Sequence, residues 1–144
     1  GLIACCDITI CQDDAQFCLS EVKLGLIPAV ISPYVIKAIG ERAARRYFLT
    51  AEIFDAHTAK QLGLIHQVTG DLQTALDKHL QSLVNNGPIA VKAAKQLIND
   101  VAGKAIDETL IDLTAERIAR IRVSDEGQEG LSAFFEKRSP NWQK

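Results

Sequence analysis

The 144-residue sequence lacks any long hydrophobic run. Its apolar stretches are short and interrupted, as in residues 24–31, whereas a helix that crosses a membrane needs about 20 consecutive apolar residues. An excess of charge of one sign is also missing, since the net charge is −2 and both signs are dispersed along the chain. We therefore expect no membrane association, and nucleic acid is not expected as the main partner.

Cysteine is absent after residue 18, and the four cysteines are Cys5, Cys6, Cys11 and Cys18. A disulfide scaffold spreads its cysteines through a small chain, and a zinc site groups them at short spacings. Neither pattern is present, so we expect no metal site. We expect reduced, mostly buried thiols, which favours a cytoplasmic protein. Cys5 and Cys6 are interpreted as packing residues because no neighbouring cation favours their thiolates.

What the sequence does contain is the composition of a folded protein, with 47% hydrophobic and 24% charged residues. Extended segments are confined to the first part of the chain, and we place a boundary between residues 1–69 and a helical region at 70–144. So few strands would not bury both faces of a sheet. Because the sequence also begins at Gly1 without Met or a charged leader, we expect an N-terminal half to precede it.

Apolar periodicity predicts the individual elements. Alternation after Asp7 and around Phe17 indicates two short strands, and residues 22–26 continue the alternation with its phase shifted by one residue. A shift of that kind indicates a bulge, a bend or the end of a strand near Glu21. Helical spacing and cap residues, including Ser32 and Asp55 as N-caps, then predict helices at 32–40, 41–50, 55–62, 72–83, 88–102, 106–121 and 125–135, with a short strand at 64–68.

Candidate catalytic groups are few. The sequence holds no nucleotide-binding glycine motif, no zinc-protease motif and no serine in a nucleophile elbow. Glu21 stands out because it lies at the phase shift among apolar residues. Desolvation favours the protonated form of a carboxyl group, which suits general acid/base chemistry near neutrality. The alternative is a solvated glutamate at a bend, paired with Lys23.

Several motifs resemble the enoyl-CoA hydratase/isomerase (crotonase) superfamily. The segments Ala4–Ile8 and Phe17–Pro28 resemble the centre of these proteins, and Ala38–Ala51 resembles their "AIG…A…LTG" stretch. The segment Asp55–Ile65 is similar to the family's "A…A…GLV" segment, and Glu129–Trp142 to its "EG…AF.EKR.P.W" ending. These matches occur in order over essentially the whole chain.

The resemblance implies an α/β fold, namely the C-terminal part of a crotonase-type (ClpP/crotonase) ββα spiral followed by a helical trimerisation region. It implies an enoyl-CoA hydratase that adds water to an α,β-unsaturated acyl-CoA, with Glu21 as the acid/base. No metal or redox cofactor is implied, since CoA is part of the substrate. The family's oxyanion-hole donors precede the position of Gly1, so we expect the 144-residue chain alone to be inactive.

Two departures from the family pattern leave the reaction open. Gly1 stands where hydratases have a first glutamate, and residues 29–34 replace the usual "G-A-G-G-T". Both departures resemble a bacterial subgroup associated with 3-methylglutaconyl-CoA or similar branched acyl-CoA hydration in leucine breakdown. The alternatives are an enoyl-CoA isomerase that uses Glu21 alone and a non-catalytic binding or assembly protein with the same fold.

The C-terminal region supplies two further candidate residues. Phe134 and Lys137 match family positions that contact the CoA adenine or phosphate, often in a neighbouring subunit. The alternative is a core aromatic residue at 134 and a solvated lysine at 137. The resemblance also implies an acyl-CoA thioester as the ligand and assembly into a homotrimer or hexamer.

Overall fold

The computed structural model describes residues 1–143, which contain short strands and longer helices, as the α/β prediction requires. Its contacts divide the chain into one compact unit at residues 1–77 and a second from residue 78 onward. The boundary placed at residue 69 from the sequence precedes helix α3 (Leu72–Val84), whereas this division lies within that helix. Among the described residues, none of the helices has both the length and the hydrophobicity needed to cross a membrane.

The strands of the first unit form two small pairs. Strand β1 (Ile10–Cys11) pairs in parallel with β4 (Gln67–Val68), and β2 (Gln16–Phe17) pairs antiparallel with β3 (Phe54–Asp55). The register places Phe17 opposite Phe54, and their rings stack with centroids 5.6 Å apart. The strands predicted after Asp7, around Phe17 and within 64–68 are therefore present, each only two residues long.

Helix α1 (Ser32–Thr50) contains the two helices predicted at 32–40 and 41–50. Gly40 separates them, since its backbone (φ 78°, ψ 158°) is not helical and lies in a region that favours glycine. Ser32 is the first helical residue rather than the predicted N-cap, and its hydroxyl donates to the carbonyl of Ala29. Pro33 lies in the first turn, where a missing N–H costs nothing.

Helix α2 (Ala56–Gln61) begins at the cap predicted for it. The Asp55 carboxylate accepts a hydrogen bond of 2.7 Å from the backbone N–H of Thr58. This bond chiefly holds the pKa of Asp55 below its usual range. Buried side chains from α1, α2, β3 and the neighbouring loops form the core of this unit: Leu19, Val35, Ile39, Ala44, Tyr47, Phe54, Ala59 and Ile65.

Two expectations about the first 30 residues are wrong. Residues 22–26 are not extended; Glu21–Leu24 form a 3₁₀ helix that ends at Gly25 in the left-handed conformation (φ 70°). A turn of this type interrupts the alternation, and it leaves Leu24 and Leu26 exposed. The thiols are not mostly buried either, because Cys5, Cys6 and Cys18 are exposed and only Cys11 is half-buried. Cys5 and Cys6 lie at the end of a short 3₁₀ turn (Ile3–Cys5) that has no buried residue.

The second unit is helical. Helix α4 (Pro88–Val101) follows Gly87, α5 (Glu108–Arg122) begins after its N-cap Asp107, and α6 (Asp125–Glu136) begins after its N-cap Ser124. These three helices contact one another. The sequence predicted all three to within about two residues, because apolar residues recur at helical spacing and Gly87-Pro88 precedes the first of them. The predicted helix at 72–83 is α3.

Candidate active site

Glu21 is the first residue of the 3₁₀ helix Glu21–Leu24, which packs against α1. Backbone hydrogen bonds hold this turn, among them those from Lys23 N–H to the Ser20 carbonyl (3.0 Å) and from Leu26 N–H to the Glu21 carbonyl (3.0 Å). Gly25 ends it in a conformation that a residue with a Cβ adopts only at a cost. The local sequence therefore fixes the backbone from which the Glu21 side chain extends.

The Glu21 carboxylate is half-buried, and its two oxygens differ. Its Oε2 atom is buried, and among residues 1–143 it has no hydrogen-bond partner. No ion pair with Lys23 or another base is found for it within the described residues, although a pair with Lys23 was the alternative considered from the sequence. Leaving a buried acceptor without a donor costs free energy. The hydrogen-bonding capacity of this oxygen is therefore not used by the described residues.

An apolar cleft of about 230 Å³ lies beside the segment that leads to Glu21. Cys18 and Leu19, just before the 3₁₀ helix, form part of its wall, and Gln16 adds one polar group. The remaining lining is apolar or glycine: Gly1, Ile3, Ala4, Phe17, Val35, Ile39, Phe54 and Leu64. The cleft thus combines an apolar interior with few polar groups, as small-molecule sites commonly do.

Phe134 and Lys137 lie in the second unit, at the C-terminal end of α6. Phe134 is 77% exposed and contacts Phe135 edge-to-face, with ring centroids 5.7 Å apart. Lys137 ends the helix in the left-handed conformation (φ 53°) and is exposed. The interpretation of Phe134 as a core residue of this unit is therefore wrong, whereas Lys137 is solvated as its alternative predicted.

The segment after Lys137 is held by one arginine. Arg138 forms a two-pronged ion pair with Glu129, with N–O distances of 2.6 and 2.9 Å, and also contacts Glu136. The same Glu129 carboxylate accepts a hydrogen bond of 2.9 Å from the backbone N–H of Asn141. Hydrogen bonds from Arg138 chiefly, and then from Asn141, hold the pKa of Glu129 below its usual range.

One polar cluster near the parallel strand pair was not predicted. The backbone N–H of Thr9 donates to Nδ1 of His66 (3.1 Å), and the Thr9 hydroxyl donates to the Leu64 carbonyl (2.9 Å). The Thr9 hydroxyl oxygen also lies 2.9 Å from Nδ1 of His66. No local motif signals this contact, because its partners are 55 and 57 residues apart. Among the described residues, no group of three His, Cys, Asp or Glu side chains is arranged to hold a metal ion.

The chain is similar to proteins that act on acyl-CoA thioesters. It is 34% identical over 143 residues to the mitochondrial Delta(3,5)-Delta(2,4)-dienoyl-CoA isomerase of Dictyostelium discoideum, covering 96% of this chain and 48% of that protein. It is 29% identical over 140 residues to the 2,3-dehydroadipyl-CoA hydratase of Escherichia coli, covering 95% of this chain and 54% of that one. The chain thus spans about half the length of the curated relatives it matches.

Solved structures show the same similarity in three dimensions. The crystal structure of an enoyl-CoA hydratase from Shewanella pealeana superposes with a TM-score of 0.94 at 57% identity, covering 98% of this chain and 53% of that one. The predicted crotonase-type fold, here a partial α/β domain, is therefore confirmed. The sequence profile described as "Enoyl-CoA hydratase/isomerase" matches residues 1–144. This chain belongs to the enoyl-CoA hydratase/isomerase family.

Proposed function

We propose that the protein containing this chain is an enoyl-CoA hydratase in which Glu21 transfers the proton. The buried Oε2 atom of Glu21, which has no hydrogen-bond partner among residues 1–143, is the observation that supports this role. A carboxylate whose hydrogen-bonding capacity is not used by the protein is available to a water molecule or to a substrate C–H group. Family membership supports the proposed substrate class, an α,β-unsaturated acyl thioester.

The chemistry requires two changes at adjacent carbons. Water forms a C–O bond at the β-carbon, and a proton is added to the α-carbon next to the thioester, so that the C=C double bond becomes a single bond. Glu21 takes the proton from water and returns one to the α-carbon, acting first as base and then as acid. None of the residues 1–143 is assigned to an oxyanion hole, and no metal or redox cofactor is part of the proposal.

Isomerisation is the second candidate reaction. The Dictyostelium relative is a dienoyl-CoA isomerase, and moving a double bond requires only that one proton leaves one carbon and returns to another. A single carboxylate that alternates between base and acid is sufficient for that exchange. Glu21 would carry it out without a second acidic residue at the position of Gly1.

Substrate detail and assembly extend the proposal. We propose a branched, 3-methylglutaconyl-like acyl group, which would place the protein in leucine degradation in the cytoplasm. Phe134 and Lys137 would contact the adenine and a phosphate of CoA. Their exposure supports this role, because an exposed aromatic ring offers a stacking surface and an ammonium group attracts phosphate. We also propose assembly into a homotrimer or hexamer.

The decisive experiment replaces Glu21 with glutamine in the protein expressed at its full natural length. Hydration of crotonyl-CoA and 3-methylglutaconyl-CoA, and isomerisation of a 3,5-dienoyl-CoA, are followed for Glu21→Gln and for the matched control Glu41→Gln. Glu41 is exposed and paired with Arg45, so its loss should leave all rates unchanged. We expect Glu21→Gln to lower kcat by about 10²–10⁴-fold. Full activity of that variant on every thioester would contradict the proposal.

The same assays separate the three candidate functions. Hydration that depends on Glu21 supports the hydratase, and isomerisation alone supports the isomerase. A wild-type protein that turns over none of these thioesters, while it remains folded, would instead support the non-catalytic alternative. Phe134→Ala and Lys137→Ala should raise KM without lowering kcat, because they would remove contacts made equally in the ground and transition states.

A further inference from the structure

Gly1 packs so closely against Ile31 that there is no room for a side chain at position 1. A Cβ atom added to Gly1 would lie 2.4 Å from Cγ2 and 3.2 Å from Cβ of Ile31. The first distance is far inside van der Waals contact, so any larger residue at position 1 requires Ile31 to move. The Ile31 side chain therefore occupies the volume into which a side chain at position 1 would project.

Ile31 has little freedom to move away. Its carbonyl accepts hydrogen bonds from the backbone N–H groups of Tyr34 (3.1 Å) and Val35 (3.0 Å), which anchor it at the start of α1. It is half-buried and packs against the core of the first unit. A β-branched side chain also has one strongly restricted χ1 angle, and the clashing Cγ2 atom is directly attached to Cβ. Relief of the clash would therefore require a change of the backbone or of the core.

We propose that Ile31 is a specificity-determining residue of the site, because it keeps position 1 free of a side chain. Gly1 lines the apolar cleft that also includes Leu19, two residues before Glu21. With Ile31 in place, no carboxylate, hydroxyl or amide can extend from position 1 at that wall. The inference rests on the proposed function in one respect, that Glu21 carries the acid/base chemistry at this site.

The consequence for the reaction is a site that uses one carboxylate. A residue with a second carboxylate at position 1 would let one group activate water while the other protonates carbon. Ile31 excludes that arrangement at position 1 sterically, and under the proposed function Glu21 serves in both roles. Such a site favours substrates whose conversion requires a single group that first accepts and then donates a proton.

A double-mutant cycle on thermal stability tests the steric part without reference to activity. Gly1→Ala, Ile31→Ala and the double variant are compared in the protein at its full natural length. Gly1→Ala alone should lower Tm by roughly 4 °C, and the loss should largely disappear in the Ile31→Ala background. The matched control is Gly70→Ala, since a Cβ at Gly70 meets nothing closer than 3.5 Å. Its effect should add to that of Ile31→Ala. Additivity of Gly1→Ala with Ile31→Ala would overturn the proposal.

A second cycle tests the catalytic part with Gly1→Glu. Alone, this substitution should lower kcat/KM for the wild-type substrate by at least about tenfold, and combination with Ile31→Ala should restore it towards the Ile31→Ala value. Equal losses in both backgrounds would overturn the specificity role. An active Glu21→Gln variant would contradict the proposed function. The stability cycle would still test whether Ile31 excludes a side chain at position 1, because it does not depend on activity.

Discussion

The carboxylate of Glu126, in the first turn of α6, accepts a hydrogen bond of 2.7 Å from the backbone N–H of Ala90 in the first turn of α4. Its other oxygen accepts from the Ile89 N–H at 2.9 Å. A helix start exposes N–H groups that have no intrahelical acceptor, and it carries a partial positive charge. A side chain from one helix thus caps another, and Gly87 leaves room for it, since a Cβ there would lie 2.5 Å from the carboxylate.

Glu126→Ala should destabilise the protein by about 1–2 kcal/mol, because both N–H groups lose their acceptor and the helix start loses a nearby negative charge. Glu126→Gln retains one acceptor oxygen and should cost less. Urea unfolding curves give both values. As a control, Glu116→Ala removes an exposed glutamate that pairs with Arg120 in its own helix, and its effect should be below about 0.5 kcal/mol. Equal effects at residues 116 and 126 would exclude the capping role.

Gly127→Ala should be among the most damaging single-methyl additions in the chain. A Cβ at Gly127 would lie 2.2 Å from the carbonyl oxygen of Ile121, which is backbone at the end of α5 and has no rotamer that relieves the clash. We expect a loss of at least about 2 kcal/mol, measured by chemical unfolding. Gly70→Ala is the matched control, with ordinary contact at 3.5 Å. Comparable stability of the two variants would show that the α5–α6 turn adapts freely.

The ion pair of Glu129 with Arg138 should make the stability of the second unit depend on pH. The pKa of Glu129 is lower in the folded chain than in the unfolded chain. Its stabilising contribution is therefore fully present above the usual carboxyl range and is lost as the pH falls through the lowered pKa. The Tm difference between wild type and Glu129→Gln should be largest near neutrality and should shrink below about pH 4. A difference that stays constant from neutral to acid pH would contradict this assignment.

Thr9→Val should cost about 1–2 kcal/mol despite its nearly unchanged shape. Thr9 is 7% exposed, and its hydroxyl satisfies the Leu64 carbonyl beside the parallel strand pair. Valine leaves that carbonyl without its donor. Thr9→Ser keeps the hydroxyl and loses only a methyl group, so it separates hydrogen bonding from packing. Equilibrium urea unfolding is the measurement, and a Thr9→Ser variant less stable than Thr9→Val would assign the effect to packing instead.

Local signals were sufficient for most of the helices. Asp55 caps α2 as predicted, and Gly40 separates the two halves of α1, because cap chemistry and glycine backbone freedom act within a few residues. The same reasoning was wrong at residues 22–26, where alternating apolar residues indicated an extended chain. A 3₁₀ helix of four residues is too short to leave a recognisable period of its own.

The candidate site was only partly accessible from sequence. Glu21 was singled out by its apolar surroundings, and the ordered motifs gave its family. The buried, unpartnered state of its Oε2 atom depends on how the 3₁₀ helix packs against α1, and no pattern in the sequence reports that. The exposure of three of the cysteines was mispredicted, and the core alternative for Phe134 was wrong, since hydrophobicity alone does not say which apolar residues a unit buries.

The sequence by itself determined the family, the positions of the α-helices, and the one glutamate that suits acid/base chemistry. Those properties follow from residue order and from interactions within a turn or two of the chain. Only the tertiary structure decided that Ile31 fills the space above Gly1, that Glu126 caps α4, and that Thr9 and His66 join two strands. Each of these contacts brings together residues 30 to 57 positions apart, and their spacing is set by how the backbones pack.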